Sequence, residues 1–222
     1  MSFAVSTGII TVGRGGIEVP EMRWIEVSLT NWLDTAQYFE LYVGYTPGSR
    51  ACQGAYFSPP FSTPPPPHHR FDTDLFQTDA AGEYSFIGAG TNVPWDAANQ
   101  GPVTIRCELE VNGTLRNLLN GAMIEETIVS SPNFGPHVGM LTRWYVTGTP
   151  ASNMSLRALS ASGSPGWSDD FERASMGADW ALMSPCPDNG VSAQPFTIES
   201  GAAVGPMDHL ALPHNNAAMY HV

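Results

Sequence analysis

The chain contains no lysine: its 9 basic residues are all arginine, set against 21 acidic ones, for a net charge of −12 over 222 residues. That balance argues against a nucleic-acid partner, because phosphate contacts need clustered Arg or Lys. It also disfavours an anionic membrane surface. The all-arginine set has two readings, a GC-rich genome or selection for planar, bidentate contacts. Charge of either sign is scarce, at 14% of residues against a usual ~25%. Cysteine is scarce too: Cys52, Cys107 and Cys186 lie far apart with no CxxC pair, which leaves no zinc or thioredoxin-like motif, although two of them can form a disulfide. No apolar run approaches the ~20 residues of a membrane-spanning helix. The opening residues 1–16 lack the basic n-region and apolar core of a secretory signal, so synthesis in a cytoplasm without export by that route is expected.

What is plentiful is turn chemistry, with 22 glycines and 19 prolines beside 42% hydrophobic residues. At this length a core forms without disulfide or metal, since roughly 70% of the unfolded chain's surface can be buried. The dominant hydrophobic period is two. Ile25, Val27 and Leu29 alternate with Glu26, Ser28 and Thr30, and Phe39, Leu41, Val43 and Tyr45 alternate with Glu40, Tyr42 and Gly44. Both stretches read as half-buried strands, and Thr46-Pro47-Gly48-Ser49 turns the chain after the second. Val103, Ile105, Cys107, Leu109 and Val111 form one face of a third strand, opposite Thr104, Arg106, Glu108 and Glu110. Cys107 on such a face behaves as a small hydrophobe. Asn112-Gly113 then predicts a type I′ hairpin into 114–119. Further strands are expected at 84–87, 124–129, 141–147 and 155–159, with short helical turns at 34–39 and 97–100. No amphipathic helix of ten residues, repeat or heptad is present. The pattern predicts an all-β antiparallel sandwich.

Three connectors interrupt the pattern. Residues 58–70, SPPFSTPPPPHHR, hold four consecutive prolines, Pro64, Pro65, Pro66 and Pro67, which favour an extended path outside a sheet. Residues 130–139 form a second turn-rich break. Residues 160–168, SASGSPGWS, have the composition of a linker. The expected organisation is an N-terminal sandwich over 1–160 with a proline arm at 58–70, a linker at 161–168, and a second, short β-rich segment over 169–222.

Chemical motifs are few. His68-His69 and the tail histidines His209, His214 and His221 match neither HExxH nor a Cys/His zinc site, so no metal or cofactor is expected. Asp72, Asp74 and Asp79 fall in DTDLFQTD. Alternating carboxylates suit calcium, but the EF-hand glycine and glutamate are missing, and a polar strand edge that blunts aggregation is the better reading. Glu125-Glu126 and Asp169-Asp170 are adjacent acids whose side chains point apart on a strand. No GxSxG elbow or P-loop lysine exists, so no catalytic residue is assigned. Asn112 and Asn153 begin glycosylation-type sequons. Trp24 and Tyr42 fall on the nominally polar faces of their strands, where they either touch a neighbouring subunit or a sugar, or lie under a second packed layer.

Asp169 to Trp180 reads DDFERASMGADW. This string resembles the opening of concanavalin/laminin-G-like jelly-roll domains, such as occur in tail and tail-tip proteins of phages infecting actinobacteria. The resemblance implies Phe171 and Trp180 as core anchors and a tight turn at Gly177. About fifty residues follow Asp169, fewer than such a domain usually needs, so a reduced module, or a chain continuing past Val222, is implied.

The expectation is a non-enzymatic structural protein of a phage particle, a minor tail or tail-tip subunit or a capsid decoration. Its partners would be other virion proteins and copies of itself, met through the proline arm, Trp24 and Tyr42, with a host cell-surface glycan as a further ligand. The alternatives are a free carbohydrate-binding module and a cell-wall polysaccharide hydrolase using two carboxylates.

Overall fold

A computed structural model describes residues 3–6, 9–12, 22–30, 37–58, 70–94, 102–144, 157–164, 166–183, 194–205 and 216–222. In chain order the strands are β1 (Phe3–Ser6), β2 (Ile9–Val12), β3 (Arg23–Thr30), β4 (Gln37–Tyr45), β5 (Cys52–Ser58), β6 (Arg70–Thr78), β7 (Tyr84–Phe86), β8 (Thr91–Pro94) and β9 (Val103–Leu109). They continue with β10 (Thr114–Leu119), β11 (Ala122–Ile128), β12 (His137–Trp144), β13 (Arg157–Gly163), β14 (Trp167–Asp169), β15 (Trp180–Leu182), β16 (Thr197–Ile198), β17 (Ala203–Val204) and β18 (Asn216–His221).

The fold is an antiparallel β-sandwich. The first sheet runs β11-β10-β9-β3-β13-β17-β16, with β14 on β13, and the second runs β15-β18-β12-β4-β5-β6-β7, with β8 on β6. Among the described residues, β1 and β2 form a separate two-stranded pair. Between the sheets, Ile25, Val27, Leu29, Ile105, Cys107 and Leu109 meet Phe39, Leu41, Val43, Phe57, Leu75 and Met140 in one cluster. Each such fully buried apolar side chain contributes about 1.5–3 kcal/mol. Burial also raises the Cys107 thiol well above its usual range, with Glu108 and Cys52 adding to the effect, so this cysteine is inert packing. Cys52 is likewise buried, its Sγ 3.2 Å from Thr78 Oγ1.

Several local expectations change. Gly44 takes φ +72° and is the extra residue between the Tyr45–His137 and Val43–Val138 pairs. This bulge turns Tyr45 away from the face of Phe39, Leu41 and Val43. It joins Tyr38, Tyr42, Phe76 and Leu141 in a second buried cluster on the outer face of the second sheet. A side chain at Gly44 would overlap the Asn133 carbonyl. The 112–113 hairpin is not type I′: only Gly113 has positive φ, +88°. Its N–H bonds Glu110 O at 2.9 Å while Glu110 N–H bonds Thr114 O at 2.8 Å, the three-residue loop with a glycine bulge. Val111 therefore sits on the turn, half exposed, and not on the core face. The I′ geometry occurs one hairpin later, where Asn120 (φ 50°) and Gly121 (φ 78°) join β10 to β11. Residues 37–39 are strand, not a helical turn; 34–36 and 97–100 lie outside the described residues.

The segment after residue 160 is not set apart. Residues 161–163 are the end of β13, and 167–169 form β14 beside them, so both ends of the stretch expected as a linker lie in the sheet. β13 lies between β3 and β17, and β18 lies between β12 and β15. Small residues read as flexible because they are small; here Gly163 is small because the Trp167 ring packs where its Cβ would be.

Candidate functional site

The second sheet's edge is broken. β7 and β8 both pair with β6, β7 at Phe76–Thr78 and β8 at Arg70–Thr73, and residues 87–90 loop out between them. Ile87 and Gly88 both donate to Leu75 O, at 2.8 and 3.2 Å. A cleft of about 240 Å³ opens at this interruption, lined by Tyr56, Asp72, Thr73, Asp74, Phe86, Gly90 and Thr91. Its aromatic wall belongs to a run of rings: Tyr56 meets Phe86 edge-on at 6.1 Å and Tyr38 at 5.0 Å, and Phe86 meets Tyr84 at 5.1 Å. Phe86 is 57% exposed.

Two carboxylates hold the looped-out segment. Asp74 accepts from Leu75 N–H at 2.8 Å and from Gly88 N–H. Glu125, reaching across from β11 of the other sheet, accepts from Ala89 N–H and, at 3.0 Å, from Gly90 N–H. A methyl group on Gly88 would overlap both acids, so glycine is required for their convergence. Burial pushes the Asp74 carboxyl up, the Glu125 charge pushes it further, and the two N–H donors only partly offset this. Beneath the cleft, Asn117 Nδ2 donates to Thr73 Oγ1 at 2.7 Å, tying the two sheets together. Among the described residues, Asn117 Oδ1 and Glu125 Oε2 are buried without a hydrogen-bond partner.

The residues singled out from the sequence fall elsewhere. Pro64, Pro65, Pro66 and Pro67 lie outside the described residues, as do His68, His69, Asn153 and Cys186. Tyr42 is fully buried, donates to Glu40 and stacks edge-on against Phe76 at 5.3 Å. It has no surface for a neighbouring subunit, and the packed-layer reading holds for it. Trp24 is half-buried under the Arg106 guanidinium, 4.0 Å from the ring centroid. Glu26, Glu108 and Arg106, with Glu110, Glu126 and Arg116, make the ion pairs of that outer face.

The 169–180 string forms a compact hub. Asp169 accepts from Phe171 N–H at 2.9 Å, Arg173 Nη1 at 2.9 Å and Trp180 Nε1 at 2.7 Å. Burial alone would raise its carboxyl, but the Arg173, Phe171 and Trp180 donors outweigh that and hold it below the usual range. Phe171 is fully buried, Trp180 nearly so, and Gly177 turns at φ +64°. His221 stacks face-on against Trp167 at 3.9 Å, and burial lowers its imidazole. A second, polar cleft of about 400 Å³ lies over Ser160, Ser162, Asp170 and Arg173, without an aromatic wall. Among the described residues no cluster of three His, Cys, Asp or Glu is placed to hold a metal ion, and no helix is long and apolar enough to cross a membrane.

Of the cleft, sequence reasoning had found Asp72, Asp74 and the strand at 84–87. It missed Tyr56, Glu125's reach and the loop. The available signal was Gly88-Ala89-Gly90 directly after a strand pattern, which marks a bulge or close approach.

No protein-family model matches the chain, and no curated protein matches it. Among solved structures, the galectin LEC-6 of Caenorhabditis elegans aligns over 62% of this chain and 89% of its own, at 11% identity and a TM-score of 0.33. That likeness is too slight to carry a ligand or a role across.

Proposed function

We propose that this chain is a non-enzymatic recognition protein that binds carbohydrate in the Tyr56–Phe86 cleft. One observation carries the reading: an exposed aromatic ring and two aspartates line the same small cleft. A pyranose presents a C–H face and a rim of hydroxyls. The first packs on an aromatic ring, and the second donates to carboxylates in charge-assisted hydrogen bonds. The cleft is smaller than the ~300–1,000 Å³ of drug-sized sites, which suits a single sugar ring. The non-enzymatic part is supported by how Asp74 and Glu125 are used: both accept from backbone N–H groups, and Glu125 is only 7% exposed.

The test is calorimetry of the full chain against neutral and charged oligosaccharides, with reducing-end release followed on the same samples. Saturable binding without release is expected. Release of reducing ends that Asp72→Asn or Asp74→Asn abolishes would instead establish the hydrolase.

The phage-particle setting is a second reading. It is supported by the 169–180 string and by β11, the edge strand of the first sheet, which exposes Met123 and Ile128. Apolar side chains on a sheet edge are what assembly covers and what a monomer avoids. Mass spectrometry of purified particles, after digestion at Asp or Glu, tests it. Stoichiometric recovery with capsid and tail proteins is expected, and recovery only as free protein overturns it.

A further inference from the structure

Among the described residues the cleft is lined by acids, Asp72 and Asp74, and by no base. Asp74 lines it, and Glu125 stands behind the Gly88–Gly90 wall. Neither makes an ion pair among the described residues; their only donors are the backbone N–H groups of 75 and 88–90. Glu125 is 7% exposed, and its Oε2 has no hydrogen-bond partner. Two converging carboxylates with no cation between them among the described residues repel one another and any anionic ligand, and they favour a positive group brought to the cleft. The walls answer the same chemistry, because the faces of Phe86 and Tyr56 attract a cation as well as an apolar surface.

Resting on the carbohydrate reading, we infer that the ligand class is an amino sugar with a free, protonated amine, seated with its ring against Phe86 and its ammonium on Asp74. The ammonium donates to the Asp74 carboxylate, and its charge offsets the repulsion between Asp74 and Glu125. An N-acetylated sugar has no such charge. Uronic, sialylated and phosphorylated sugars carry the wrong one. Affinity therefore falls with salt, which screens the attraction, and falls as pH drops far enough to protonate Asp74.

The experiment is calorimetry of the full chain with three probes of equal length: a β-1,4-linked glucosamine oligomer, its fully N-acetylated counterpart and a β-1,4-linked glucose oligomer. A tri-lysine peptide is the fourth. The glucosamine oligomer is expected to bind at least tenfold tighter than the other two sugars. That preference should shrink in Asp74→Asn and, in the unaltered chain, with rising salt, a readout that does not depend on the variant's folding. Equal binding of all three sugars overturns this inference and leaves the carbohydrate reading standing. No binding of any sugar overturns both, and binding of tri-lysine alone assigns the cleft to a basic peptide and likewise overturns both.

Discussion

Tyr56 and Asp74 are directly opposed in the β5–β6 ladder, so ring and carboxylate leave the outer face of the second sheet side by side. Opposed Cβ atoms in an antiparallel pair stand about 4.5–5.5 Å apart. Main-chain register, which is rigid, thus sets the spacing between the cleft's aromatic wall and its acid. Phe86, opposite Phe76 on β7, completes the wall from the other side.

Phe86→Ala should weaken sugar binding about tenfold, or ~1.4 kcal/mol, by removing the exposed half of the aromatic wall. Because the ring is 57% exposed, the change in stability should be small, about 0.5 kcal/mol or less at such sites. Calorimetry beside a thermal melt separates the two. A large fall in Tm with unchanged affinity would mean that the ring is packing and not a contact.

Asp74 should make the protein less stable as pH rises. Its folded pKa lies above the ordinary 3.8, through burial first and Glu125 second. Between 3.8 and the raised folded value the native state therefore binds more protons than the unfolded chain, and stability falls with increasing pH across that window. Asp74→Asn should lose this component and be no less stable than the parent at neutral pH. Urea midpoints from pH 3.5 to 7 for both proteins check it; identical pH slopes would contradict the assignment.

His221 acts with the opposite sign. Burial holds its folded pKa below 6.5, against the lesser upward pull of Asp179 and Asp169. The stability from its neutral form is fully present above 6.5 and is lost as pH falls through the depressed folded value. His221→Phe keeps a ring on Trp167 and should flatten the Tm profile between pH 7.5 and 5. The parent and variant profiles should converge at neutral pH.

Asp169→Ala should cost about 1–3 kcal/mol, the usual penalty when a buried donor loses its acceptor. It strands the Trp180 indole N–H, while the partly exposed Arg173 keeps the Ser175 and Met176 carbonyls. In the parent, the depressed Asp169 carboxyl contributes stability that is present above 3.8 and lost as pH falls through the folded value. Chemical denaturation at pH 7 and pH 3 tests both parts: the gap between parent and variant should be smaller at the second than at the first.

The strands that bury one face were readable as such. β3 and β9 alternate because only the inter-sheet side of each is covered by core, so Ile25, Val27 and Leu29 face Cys107 and Ile105 as the period requires. β5 escaped notice because it is buried on both faces. Cys52, Gln53, Gly54 and Ala55 are all buried, and a strand covered twice loses its alternation. Gln53 shows why: its amide donates to Val43 O at 2.6 Å and to Asn133 O at 2.8 Å, so a polar residue satisfied by backbone fills an interior place. Tyr42 was ambiguous for the same reason, since a large ring on a polar face can be covered by a second layer or by another molecule.

The sequence by itself determined the class of fold, because a period of two and dense turn residues are local properties that no distant contact can undo. It also determined the strong negative charge, and with it the kinds of partner the surface disfavours. The tertiary structure alone decided that β13 joins the first sheet and β18 the second, since strand pairing between β13 and β3 or β18 and β12 leaves no mark on spacing along the chain. It alone decided the cleft as well: Tyr56, Asp74, Phe86 and Glu125 come from four strands, and only their pairing brings aromatic rings and carboxylates to one place.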